Sequence, residues 1–142
     1  MKKNLGNPPR GQTLVEFALI LPVFLFLIIA IFDFGRAIYY YSTVHNAARE
    51  GARYGVIHPK TTDYPAIETR AREFAIGLGV SDVNVSVVAG PIERVGTVNN
   101  PTIKVTVSYI FRPITPFIAS LFCGCQTITL SGDAVMRTEA LP

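Results

Sequence analysis

At 142 residues the chain has room for one small domain beside a membrane segment, and a composition of 49% hydrophobic against 16% charged residues points to one strongly apolar stretch. Its formal charge of +3 is confined to the first ten residues: Lys2, Lys3 and Arg10 are three of the 13 basic residues, and the ten beyond Gly11 balance ten acidic ones. No basic cluster is left for a folded part, which excludes a nucleic-acid-binding face.

The leader, residues 1–11, holds Gly6, Pro8, Pro9 and Gly11 and is not expected to be helical. Its cations read as the positive-inside signal, keeping the N-terminus cytoplasmic and everything beyond about Phe34 on the far side. A continuous apolar run follows. Phe17 to Phe32 contains no charge, and counting from Leu14 gives nineteen residues interrupted only by Glu16. A bilayer core of about 30 Å takes roughly 20 apolar residues in a helix, so the run predicts a membrane-spanning helix. Ile28 stands where a signal peptidase wants a small residue before Ala30, which argues against removal of the run. Pro22 favours a kink. Glu16 is an anomaly, because a carboxylate at the centre of such a helix costs about 2.5–3.5 kcal/mol, less near the interface. One account is local: Thr13 as N-cap with Glu16 three residues on has capping-box spacing.

Asp33 and Arg36 mark the exit from the membrane, and Tyr39, Tyr40 and Tyr41 suit an interfacial belt. The helical pattern continues until Gly55 and His58-Pro59 end it. From Thr13 to Tyr54 it would be 42 residues, about 63 Å at 1.5 Å per residue, twice what a bilayer needs. Ala47, Gly51 and Gly55 recur every four residues, a small-residue stripe that lets another backbone come close. That partner is either the chain's own outer domain or the helix of another subunit.

The rest, residues 59–142, reads as an extracytoplasmic α+β domain. Pro65 opens a helix whose apolar stripe is Ile67, Ala71, Phe74, Ala75 and Leu78, with Glu68 and Arg72 as an i, i+4 pair and Gly77 and Gly79 as the stop. Val83, Val85 and Val87 alternate with polar residues, and Ile103, Val105, Val107, Tyr109 and Phe111 do so more strongly. A weaker strand spans residues 92–98 with a turn at Asn99-Asn100-Pro101. Pro113 and Pro116 end the long strand, residues 114–122 suit a short helical turn, and residues 126–137 form a last strand with Gly132 as a bulge. The expected fold is one helix packed on a mostly antiparallel sheet of about four strands, carried by a long helix that spans residues 12–58.

Chemistry is scarce. His45 and His58 lie in no metal-ligand spacing, and no phosphate loop or nucleophile elbow is present. Cys123 and Cys125, two residues apart around Gly124, give either a tight disulfide or two free thiols, and are too few for a tetrahedral zinc site. No cofactor is implied and no enzyme is expected.

Three segments taken together carry a resemblance: Gly11-Gln12-Thr13-Leu14-Val15-Glu16-Phe17-Ala18-Leu19 with Leu21-Pro22, then Asp33-Phe34-Gly35-Arg36, then Ala47-Ala48-Arg49-Glu50-Gly51-Ala52-Arg53-Tyr54. As a set they resemble the TadE/TadG family, pseudopilins or minor pilins of the Flp/Tad tight-adherence pilus. The closing Val135-Met136-Arg137 and Glu139 are similar to that family's C-terminal end. The resemblance implies a cytoplasmic-face cut by a prepilin peptidase after Gly11. Gln12 then becomes the mature N-terminus and Glu16 the fifth residue, available to pair with the N-terminal amine of a neighbouring subunit. The implied partners are other pilin subunits, Tad assembly proteins, the prepilin peptidase and the membrane. The alternative is an uncleaved single-pass anchor whose outer domain docks envelope partners.

Overall fold

The structure is a computed structural model that describes residues 11–58, 60–91, 93–95, 98–114, 124 and 127–138. Helix α1 runs unbroken from Gln12–Ile57, 46 residues or about 69 Å, and passes through Pro22. It starts two residues earlier than the capping-box reading requires, at Gln12 instead of Leu14. Gly11 is the N-cap, no side chain caps the helix, and the Gly11 carbonyl takes the first helical bond from the Val15 N–H at 3.2 Å. Thr13 therefore lies inside the first turn, and the self-capping account of Glu16 falls.

Short helix α2, Tyr64–Phe74, follows a single 3-10 turn at Thr61–Asp63. Pro65 sits in its first turn, where its missing N–H costs nothing. Ile67, Ala71, Ala75 and Leu78 are buried as the stripe requires. The helix stops at Phe74, short of the glycines, and Gly77 then turns the chain at φ +80°. The expected Glu68–Arg72 pair does not form. The Arg72 guanidinium instead donates to the Val83 carbonyl at 3.0 Å, and the ion pair on α2 is Arg70–Glu73 at 2.8 Å.

Strands β1 (Val83–Ala89), β4 (Thr102–Phe111) and β5 (Ile128–Arg137) form one antiparallel sheet in the order β1-β4-β5. Strands β2 (Glu93–Val95) and β3 (Val98–Asn100) pair with each other in a separate small hairpin. The sheet thus has three strands, and Asn99 and Asn100 are paired strand residues opposite Arg94 and Glu93, not a turn. Gly132 is no bulge: β4 and β5 keep one register from Thr102↔Arg137 to Phe111↔Ile128, with Gly132 opposite Val107. It is a close-approach site, where a Cβ would stand 3.0 Å from the His45 backbone. Among the described residues, His45 Nε2 is a buried polar atom without a hydrogen-bond partner.

The outer half of α1 and helix α2 lie on one face of the sheet. Alternation along β4 turns Ile103, Val105, Val107, Tyr109 and Phe111 into the core, joined by Val83, Val85 and Val87 of β1 and Ala134 of β5. From α1 the core takes Val44, Ala47, Ala48 and Ala52. Full burial of Ile67, Ile103, Val44, Val105 and Val107 stabilises the domain by about 1.5–3 kcal/mol for each side chain. The short helical turn read at 114–122 lies outside the described residues beyond Ile114, as do Cys123 and Cys125.

Candidate functional site: the apolar helix and its junction with the outer domain

The first half of α1 and the second half meet different surroundings. No residue from Leu14 to Phe32 is buried, and the apolar side chains project on every side. A helix that is hydrophobic all round needs an apolar solvent, and α1 is long and apolar enough to cross a membrane. Glu16 lies on this exposed surface one turn after Gln12 and makes no hydrogen bond or ion pair with any described residue. Gly11 is exposed, with nothing within 4 Å of where a Cβ would stand.

From Asp33 onward the helix has one buried face: Asp33, Val44, Ala47, Ala48, Gly51, Ala52 and Gly55. The small-residue stripe lies against the chain's own domain. A Cβ on Gly51 would meet Ala71 Cβ at 2.9 Å and Val105 Cγ1 at 3.1 Å, and one on Gly55 would meet Ile103 Cδ1 at 2.8 Å. Glycine and alanine let α1 fit into the angle between α2 and the sheet.

A feature not read from the sequence sits where the two halves join. Asp33 is only 6% exposed although it follows the apolar run directly. Its Oδ1 accepts the Arg36 Nη1–H and the Ile114 backbone N–H, both at 3.1 Å. The Arg36 guanidinium lies 5.6 Å from the Tyr40 ring centre and 5.4 Å from that of Phe111. Tyr40 in turn packs edge-on against Tyr109 at 5.1 Å and Phe111 at 5.8 Å. Such pairs contribute about 0.5–1.5 kcal/mol beyond area burial. Burial pushes the Tyr109 phenol above the usual tyrosine value; the charges of Tyr40 and Asp82 add to this, against Arg36 and Arg112. Tyr40 is thus a core anchor of the domain, while Tyr39 and Tyr41 remain exposed. The signal available in the sequence was the i, i+3 pair Asp33/Arg36 at the end of an apolar run, beside the aromatic end of β4. The contact itself joins residues 81 positions apart.

Among the described residues no group of three or more His, Cys, Asp or Glu is placed to hold a metal ion. The arrangement is that of a membrane-anchored single-pass protein carrying a small α+β domain on the continuation of its own membrane helix. Residues 11–53 match the family of TadE-like proteins, a stretch that starts at Gly11 and ends within the helix–domain contact. No curated protein and no solved structure matches the chain.

Proposed function

We propose that this chain is a minor pilin or pseudopilin-like subunit that takes part in assembling a Tad pilus or a related secretion apparatus. The observation that carries the reading is Glu16: a carboxylate on an apolar helix surface, without a partner within the described chain, in the segment matched by the TadE-like family. A carboxylate in low dielectric needs a compensating cation. In the proposed mechanism a prepilin peptidase cuts between Gly11 and Gln12 on the cytoplasmic side of the inner membrane. The new α-amino group of one subunit then neutralises Glu16 of another. A single polar pair of this kind sets axial register, as a buried polar residue does in coiled coils. The apolar surface from Leu14 to Phe32 supplies the contact area between subunits, and the outer domain faces away from the cytoplasm.

Two measurements test this. Intact mass of the membrane-extracted protein, from cells with active prepilin peptidase, is expected to give a chain beginning at Gln12. A chain that keeps its leader there supports the uncleaved anchor instead. Glu16→Ala is expected to insert into the membrane at the normal level but to be lost from sheared pili; normal recovery of the mutant with pili would overturn the pairing role.

A further inference from the structure

The bilayer's outer boundary can be placed along α1 by length. Leu14 to Phe32 rises about 28 Å at 1.5 Å per residue, which fills a hydrocarbon core of about 30 Å and ends at Asp33. Headgroups add about 5–7 Å on each side, or another four to five residues. At that height the outer domain has already joined the helix through the Ile114–Asp33 bond, and Gly77 lies beside the hydroxyl end of Tyr39, whose backbone stands about 9 Å beyond Asp33. No linker separates the domain from the bilayer.

Among the described residues, the rim at this level carries large exposed apolar side chains. Ile114 is 65% exposed, Ile76 68% and Phe34 69%. Beside them a groove of about 550 Å³ runs between α1 and the Gly77 turn, lined by Ile31 and Phe32 toward the hydrocarbon and by Arg36, Tyr39 and Gly77 toward the headgroups. A groove that is apolar at acyl-chain depth and carries a guanidinium and a phenol at headgroup depth matches an amphipathic lipid. Arg36 gives Nη1 to Asp33, and its guanidinium has further donors for a phosphate oxygen. The rim is also continuous with the surface that enters the bilayer, so lipid reaches it without any partner protein.

We infer that the membrane-proximal rim of the outer domain, around Ile76 and Ile114, is a lipid-binding surface seated in the headgroup layer, with phospholipid in the adjoining groove. The inference rests on α1 crossing a membrane and is independent of cleavage and pilus assembly.

The chain contains no tryptophan, so a single introduced one reports alone. Full-length Ile76→Trp and Ile114→Trp proteins are reconstituted at low protein-to-lipid ratio in phosphatidylcholine vesicles with or without brominated acyl chains. Both positions are exposed, so the larger ring projects outward and not into the core. Phe24→Trp, inside the apolar run, reports whether α1 is in the bilayer at all. Ile57→Trp, about 36 Å beyond Asp33 along α1, reports the distal end. The inference expects Ile76→Trp and Ile114→Trp to lose most of their emission in brominated lipid and to emit at shorter wavelength than Ile57→Trp. Emission like that of Ile57→Trp at either position, with Phe24→Trp quenched, overturns the inference and leaves the anchor intact. Shielding from aqueous acrylamide without quenching by bromine overturns it too, since a protein partner then covers the rim. An unquenched Phe24→Trp overturns the membrane reading itself.

Discussion

The two glycines of the α1 stripe are expected to respond differently to the same added methyl group. Replacing a mid-helix glycine by alanine gains about 0.8–1.0 kcal/mol of helix propensity, and overpacking a core costs about 1–3 kcal/mol. The sign depends on what the new Cβ strikes. At Gly51 it is Ala71 Cβ at 2.9 Å, an atom fixed to the α2 backbone, with Val105 Cγ1 behind it at 3.1 Å. Ala71 Cβ cannot swing clear, so α2 must move bodily away from α1. The cost falls in the upper part of the range, leaving a net loss of about 1–2 kcal/mol. At Gly55 the obstacles are the δ-methyl ends of Ile103 and Ile67 at 2.8 and 3.2 Å. Their rotation costs about 0.5–1.5 kcal/mol, close to the propensity gained. For a domain of this size 1 kcal/mol moves the melting temperature by roughly 4 °C. Gly51→Ala is therefore expected to lower Tm by about 4–8 °C and Gly55→Ala by less than about 3 °C. Near-UV circular dichroism of the tyrosines, on full-length protein in detergent, follows the outer domain without interference from the membrane helix. A Gly51→Ala protein as stable as the parent, or equal losses at both positions, would refute the reasoning that the stripe is packed by the chain's own α2 and β4.

Asp33→Ala removes the acceptor of the Ile114 N–H and the partner of Arg36; leaving such groups unpaired costs about 1–3 kcal/mol. Asp33→Asn keeps a carbonyl for the amide. Hydrogen exchange at Ile114 is expected to lose protection in the alanine variant and keep most of it in the asparagine variant; equal behaviour rules out the bond as the tether. The raised Tyr109 pKa favours the neutral phenol in the folded state. Its contribution is fully present below the unfolded value of about 10 and is lost as pH rises through the folded value, so stability falls on the alkaline side. Tyr109→Phe is expected to flatten that alkaline decline and to remove the late component from the tyrosinate absorbance titration. An unchanged alkaline slope rules out Tyr109 as its source.

What was legible in the sequence was whatever repeats locally. The apolar run, the small-residue stripe, the α2 face and the alternation of β4 each follow from a period of 3.6 or 2, and each stands where it was expected. What failed were choices between a local and a distant partner. Glu68 and Arg72 have the right spacing to pair, yet Arg72 goes to the Val83 carbonyl across the α2–β1 contact. Thr13 and Glu16 have capping-box spacing, yet the helix already begins at Gln12. Gly132 in a strand pattern reads as a bulge, whereas the structure places it directly against the His45 backbone of α1, where a side chain would clash. Asp33 reads as a polar marker of the membrane exit, and one of its partners, Ile114, lies three residues beyond the end of β4 and 81 positions away in sequence. Local periodicity carries no information on such pairings.

Helix α1 obeys two solvents in one unbroken rod. Below Asp33 its side chains are large and apolar on all sides; above it, one face is reduced to alanine and glycine so that a domain can close on it. The change of pattern coincides with the one buried carboxylate on α1, held by Arg36 and Ile114. The α+β domain is therefore fixed to the helix from the end of the apolar run onward, over the span from Asp33 to Gly55, rather than hung from its end. A helix carries rotation and axial displacement along its length because each residue adds 100° and 1.5 Å, and between Glu16 and Asp33 the backbone ladder lacks the bond that Pro22 cannot donate. Seventeen residues, about 25 Å, separate Glu16 from Asp33. Any contact that fixes the azimuth and height of Glu16 consequently fixes those of the outer domain as well. In the proposed pilin role, a single ion pair near the cytoplasmic face would specify where the domain stands on the opposite side of the membrane.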